Sequence, residues 1–188
     1  MLEQLLEVIL ILLLADLITG VFHWIEDTYF LPSSAIVGPI ILENEQHHMH
    51  PDKILENGDW ATIKRTVQLI ALPSLILLWI FPSWQSGLLV LLLSLSNLIH
   101  KWAHKNPSAY QPTWIWALRT IGLLDYSHHH RHHQSLLNNY CILTRWLNPL
   151  LESLGFWRKL ESVIPYTPRE GRFKVISKAV PSHQEITL

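Results

Sequence analysis

Apolar residues run almost unbroken over residues 5–24, 66–81 and 84–99, with Glu7 and Asp16 the only charges in the first run and none in the other two. Runs of this kind predict helices that cross a bilayer. The second and third hold about 16 residues, roughly 24 Å of helix, and reach across the hydrocarbon with Trp79, Trp84 and Trp102 at the interfaces. Pro82 and Ser83 leave room for only a tight turn between them, so an antiparallel hairpin is expected, with Pro73 kinking its first arm. A fourth run, PTWIWALRTIGLL over residues 112–124, is shorter and carries Arg119, which reads as an interfacial or re-entrant segment. Over residues 148–164, Leu150, Leu154, Trp157 and Glu161 recur at helical spacing, predicting a helix in the plane of the interface. The expected class is all-α: a multi-spanning membrane protein with about three transmembrane helices plus re-entrant or interfacial ones. Residues 1–164 read as one membrane domain and residues 165–188 as a polar, loose tail.

Composition agrees, since 49% hydrophobic and 15% charged residues in 188 are too apolar for an average soluble domain. With three crossings, all fourteen Lys and Arg residues fall on one side. The positive-inside rule makes that side cytoplasmic, in a bacterial cell membrane or the endoplasmic reticulum. A net charge of -1 and the lack of a basic, aromatic-interleaved stripe give no reason to expect nucleic acid. Cys141 is the only cysteine, so neither an intrachain disulfide nor a cysteine-rich zinc module is available. Metal chemistry then falls to histidine and carboxylate.

Histidine is abundant, twelve residues in all, and gathers in four clusters expected beside the bilayer on the cytoplasmic face. In ADLITGVFHWIEDTYF, Asp16, Gly20, His23 and Asp27 lie within about 60° of one helical face. Asp16 is deep in the apolar run, where a carboxylate requires a partner, either histidine or backbone. In ENEQHHMHPDK, His47 and His48 are read as part of a loop closed by Pro51. As neighbours they cannot share a helical face, so one is free to ligate while the other faces elsewhere or meets a second metal. SNLIHKWAH puts His100 and His104 at i, i+4, the spacing that aims two imidazoles at one ion, with Asn97 one turn earlier. No Glu follows His100, so the zinc-protease pattern lacks its base. LLDYSHHHRHHQS brings His128, His129, His132 and His133 into overlapping HxxxH and HxxHH boxes. Protonated rings at that density would repel one another, so the tract favours neutral, coordinating imidazoles.

His23, His47, His48, His100, His104, His128, His129, His132 and His133 are too many ligands for one tetrahedral zinc. They suit two ions of higher coordination number. Imidazole-rich sites with open positions suit iron, and an iron pair can use O2 against an unactivated C–H bond. A site pressed against the bilayer would meet lipid chains as substrate. A lipid hydroxylase would use the same boxes, a zinc lipid hydrolase would need fewer ligands and no O2, and a metal carrier would string its ligands along a transmembrane path.

The motifs ADLITGVFHWIEDT, QHHMHPDKILENGDW, NLIHKWAH, HHHRHH and RWLNPLLESLGFWRKLE, in order over about residues 15–164, resemble the lipid desaturase family. That family contains plasmanylethanolamine desaturase, its bacterial counterpart CarF, the Kua proteins and the plastid phosphatidylglycerol palmitate desaturase. The resemblance implies a di-iron enzyme that uses O2 and reducing equivalents from a separate donor, a small cytochrome or ferredoxin, to dehydrogenate a chain on a membrane phospholipid. By match, His23 and Asp27 correspond to the family's HWxxD, His47 and His48 to its HH pair, His100 and His104 to HKWxH, and His128, His129, His132 and His133 to its last box. His50, His130 and His183 have no such counterparts. Asp16 and Asp27 are expected to stand behind the ligands and fix imidazole tautomers, with Asn97 acting there too or through water. The alkyl ether chain of an ethanolamine phospholipid is the preferred substrate and a fatty-acyl chain the alternative. The sequence carries no long N-terminal extension of the plastid type.

Overall fold

The computed structural model describes residues 1–164, and the expected tail at 165–188 lies outside them. Ten α-helices make up the described residues: α1 (Leu2–Thr28), α2 (Gly38–Met49), α3 (Asp59–Thr66), α4 (Leu72–Ile80), α5 (Trp84–Ser94), α6 (Ser96–Ala103), α7 (Thr113–Thr120), α8 (Tyr126–Gln134), α9 (Leu147–Ser153) and α10 (Phe156–Val163). No β-strand occurs among the described residues, only one isolated bridge between Leu123 and Thr144. Among the described residues α1 alone is, by length and composition, able to cross a membrane unbroken, and up to three spans result if each of two bent helix pairs is one crossing.

Both bends have local causes. Pro73 cannot donate to the carbonyl four residues back, and one turn before it the chain widens into a π-helical segment, Val67–Ala71. The pair Asp59–Ile70 and Leu72–Ile80 turns there by 50°. The other pair, α5 and α6, turns by 49° at Leu95, whose backbone angles (φ -91°, ψ 0°) leave the helical region. The Ser94 carbonyl at this break accepts a hydrogen bond from Thr66 Oγ1 at 3.0 Å, so the interruption leaves no buried acceptor empty. The tight turn at Pro82 and Ser83 is present, with Ser83 Oγ capping α5 through Ser86 N at 3.2 Å.

Two expectations are corrected. His47 and His48 stand in the last turn of helix α2, not in a loop. Pro39 suits the first turn of a helix, the ENEQ stretch continues it, and Pro51 ends it by excluding His50 from the α region. The interfacial helix of residues 148–164 is two helices, broken by Gly155 in the left-handed conformation (φ 59°).

The core sits around α1. Its buried residues Ile11, Ala15, Asp16, Thr19, Gly20, His23, Trp24 and Asp27 form one stripe, as the sequence spacing requires. Against its lower half pack Tyr140, Cys141, Leu151 and Trp157, with Trp24 Nε1 donating to Glu161. Gly20 permits the close approach, because a Cβ there would fall 2.7 Å from Cys141 Sγ. Asp16 takes the backbone option rather than a histidine. Its carboxylate accepts from Leu143 N at 2.8 Å, Thr144 N at 3.1 Å and Thr144 Oγ1 at 2.6 Å, tying the non-helical stretch 136–144 to α1. Asn148 closes the other edge by pairing with both Cys141 N and Cys141 O. Asp16→Ala strands three buried donors and is expected to destabilise the fold by on the order of 3 kcal/mol, read as a lowered Tm of the detergent-solubilised protein.

Candidate metal centre

Four helices deliver the ligand-type side chains to one place. From α1 come His23 and Asp27, one turn apart. Residues 47 and 48 of α2 diverge by about 100°, so the two imidazoles enter different groups. His100 and His104 lie at i, i+4 across the end of α6. Helix α8, opened by Asp125 capping His128 N at 3.0 Å, presents His129, His132 and His133 on one face.

The result is two adjoining groups: His47, His100, His104, His129 and His133 in one, and His23, Asp27, His48 and His132 in the other. Within each group the ligand atoms lie within 4.8 Å of one another. Between groups, the His48 and His133 rings are 4.7 Å apart and those of His23 and His100 5.7 Å.

In the five-histidine group, His129 Nε2 lies 2.7 Å from His100 Nε2, 2.6 Å from His104 Nε2 and 2.9 Å from His133 Nε2. One imidazole nitrogen has either one hydrogen or one lone pair, so it cannot satisfy three such neighbours. A shared cation does. Two ligands at about 2.1 Å from an ion and at right angles are about 3 Å apart, which is the spacing found. Burial first, then neighbouring imidazoles, hold the pKa of His47, His129 and His133 well below the ordinary 6.5. These rings are therefore neutral near pH 7, with lone pairs available to an ion.

The second group is more tightly braced. His132 Nδ1 bonds the Asn138 carbonyl at 2.7 Å and His23 Nδ1 the Tyr140 carbonyl at 3.2 Å. Each bond fixes the proton on Nδ1 and leaves the Nε2 lone pair facing inward. Both Nε2 atoms are buried without a hydrogen bond, 3.2 Å and 3.7 Å from Asp27 Oδ2. His48 Nε2 meets Asp27 Oδ1 at 3.1 Å, and Asn44 Nδ2 donates to that oxygen at 2.6 Å. His23, His48, His132 and Asp27 offer one ligand atom each to a second candidate cation site, and Asp27 is part of it rather than behind it.

Of the sequence-derived candidates, eight histidines and Asp27 thus converge. His128 does not. It lies at the edge of the face shared by His129, His132 and His133, half-buried, with no ligand atom in either group. Asp16 is committed to residues 143 and 144, and Asn97 makes no hydrogen bond to either group among the described residues. His50 and His130 are exposed. The carbonyls of Asn138 and Tyr140 had no signal in the sequence, whereas Asn44, one turn before His48, had the i, i+4 spacing. A cavity of about 110 Å³ opens onto His104, His129 and His133, with Asp52 and Tyr126 at its edge.

Fold and centre together define a class: a protein all-helical over its described residues, with a membrane-length helix and a paired, histidine-rich candidate metal site. Comparison with known proteins then fixes the family. The lipid desaturase domain matches residues 12–171, so the chain belongs to the lipid desaturase family, a family of oxidoreductases. It is 34% identical over 174 residues to a probable fatty acid desaturase of Acanthamoeba polyphaga mimivirus, covering 87% of this chain and 84% of the relative. It is 31% identical over 168 residues to plasmanylethanolamine desaturase 1 of Mus musculus, covering 81% and 61%. To the chloroplastic fatty acid desaturase 4-like 1 of Arabidopsis thaliana it is 33% identical over 157 residues, covering 80% and 52%. The chain thus spans little more than half the length of the last two. No solved structure matches.

Removing one ligand from each group separates the two. If each group holds one ion, His104→Ala and His132→Ala are each expected to bind about one metal ion fewer per chain than the parent, and the double variant to bind almost none, measured by elemental analysis after anaerobic reconstitution.

Proposed function

We propose that this chain is a di-iron, O2-dependent desaturase that introduces a double bond into a phospholipid-attached chain, most specifically the alkyl ether chain of an ethanolamine phospholipid. The observation that carries the reading is the pair of adjoining donor sets, one of five imidazoles and one of three imidazoles with Asp27, in a chain of the lipid desaturase family. Mixed imidazole and carboxylate donors suit iron, and the name of the mouse relative supplies the ether substrate.

The reaction balances as –CH2–CH2– plus O2, two electrons and two protons, giving –CH=CH– and two waters. The electrons come from a separate donor protein of the cytochrome or ferredoxin type. Iron, when bound, supplies the one-electron steps that ground-state O2 needs before it can take hydrogen from a saturated carbon. The chain's own residues do the rest. Asn138 and Tyr140 carbonyls hold His132 and His23 in the ligating tautomer. Asn44 steadies the Asp27 carboxylate by its hydrogen bond. Burial keeps His47, His129 and His133 neutral, so that in the five-imidazole group their lone pairs remain available.

Placement follows the same logic. With the Lys- and Arg-bearing segments on the cytoplasmic side, the centre sits at the cytoplasmic edge of the bilayer, where a soluble electron donor has access.

A second reading, dehydrogenation of a fatty-acyl chain, is supported by the names of the viral and Arabidopsis relatives. Lipid mass spectrometry of cells expressing the chain and fed alkyl ether phospholipids separates them. The expected product is two mass units lighter, forms only in air and is cleaved by mild acid, as a vinyl ether is. Acid-stable unsaturation in acyl chains overturns the ether substrate. A product sixteen units heavier overturns desaturation altogether.

A further inference from the structure

Beside the metal centre, between α7 and the start of α8, lies a second and larger cavity of about 360 Å³. That volume is at the lower end of the roughly 300–1,000 Å³ of small-ligand sites. Gln111, Trp116, Arg119, Asp125, Tyr126 and Ser127 line it. We propose that it seats the zwitterionic headgroup of the phospholipid substrate, with Arg119 meeting the phosphate and Asp125 the ammonium.

Both signs of charge line the cavity, near enough for the Asp125 carboxylate to act on the Arg119 charge through space. Arg119 Nη2 donates to the carbonyls of Trp102 at 2.9 Å and Lys105 at 2.5 Å, and Nη1 to Gln111 Oε1 at 2.8 Å. Of five guanidinium hydrogens, one on Nη1 and the enclosed one on Nε remain. Asp125 Oδ1 accepts from Ser127 Oγ and His128 N, and the Ser127 backbone N–H also acts on this carboxylate, so the group is held in place at the cavity wall. A cavity with only the arginine would take any phosphate. Adding a carboxylate disfavours an anionic headgroup and favours one ending in a cation, for which the Trp116 ring is a further partner.

Depth and reach agree with this occupant. On α7, Trp114 and Trp116 are 48% and 60% exposed, and tryptophans that face out of a membrane protein collect at headgroup level. Tyr126 lines both this cavity and the smaller one that opens onto His104, His129 and His133. Asp125 precedes His129 by four residues, about 6 Å of helical rise. In an alkyl ether phospholipid, six bonds separate the phosphorus from the first alkyl carbon, about 7 Å when extended. A double bond formed at that carbon therefore needs the phosphate held close beside the metal centre, and Tyr126, which lines both cavities, puts this one next to it. This distance argument rests on the ether-phospholipid reading, while the charge argument does not.

Native mass spectrometry of the detergent-solubilised, iron-loaded chain with equimolar phosphatidylethanolamine and phosphatidylglycerol of identical chains reads headgroup binding without turnover. The parent protein is expected to retain the ethanolamine lipid in preference. Asp125→Asn keeps the helix cap, since Asn caps as well as Asp, and is expected to cut the preference about fivefold. Arg119→Gln is expected to weaken both lipids. An even ratio in the parent, or an unchanged ratio in Asp125→Asn, overturns the proposal. Since no product is scored, a failed desaturation assay leaves this result standing, and a lost headgroup preference leaves the desaturase reading standing.

Discussion

The structure depends on one constraint: eight imidazoles and a carboxylate must keep their lone pairs converging in a buried place. Crowded, dehydrated imidazoles are stable together only when neutral, and neutral ones with lone pairs turned inward need a cation to face. Burial holds His47, His129 and His133 neutral, and backbone carbonyls on the outward nitrogens set the direction of His23 and His132. The Nε2 atoms of His23 and His132 are buried beside Asp27 without a hydrogen-bond partner, groups that a bound cation would satisfy, so in the proposed reading metal binding would also stabilise the fold.

Much of the remaining architecture serves that convergence. The stretch 136–144 has no helical ladder to position it, yet its carbonyls at Asn138 and Tyr140 fix two ligand rings. Asp16 and Asn148 do the positioning, by bonding the backbone of residues 141, 143 and 144. Gly20 allows α1 close enough for Asp16 to reach. A deep carboxylate on a membrane-length helix is thus a brace for the site and not one of its ligands.

The sequence showed the helical class and the site's main residues because both follow from periodicity. Spacings of three and four on α1, α6 and α8 aim His23, Asp27, His100, His104, His129, His132 and His133 from single faces. The kink at Pro73 and the turn at Pro82 follow from what proline cannot do. What escaped was set by tertiary contact. A hydrophilic ENEQHH run reads as loop until a helix packs it against Asp27, and the break at Leu95 becomes tolerable through Thr66 from another helix. Overlapping boxes could not show that His128 stands apart from His129, because in a tract of five histidines every spacing is present. Nor could Asp27 be told from Asp16, since both lie on one face of α1 and only their distance from the other helices separates a ligand from a brace.

The central claim is two inequivalent ions held side by side, and Mössbauer spectroscopy of the chain reconstituted with iron-57 tests it most directly. One environment has five imidazole nitrogens and the other three with a carboxylate oxygen. The account predicts two high-spin signals of equal area, magnetically coupled once oxidised. A single signal at one iron per chain, or two signals without coupling, would contradict it.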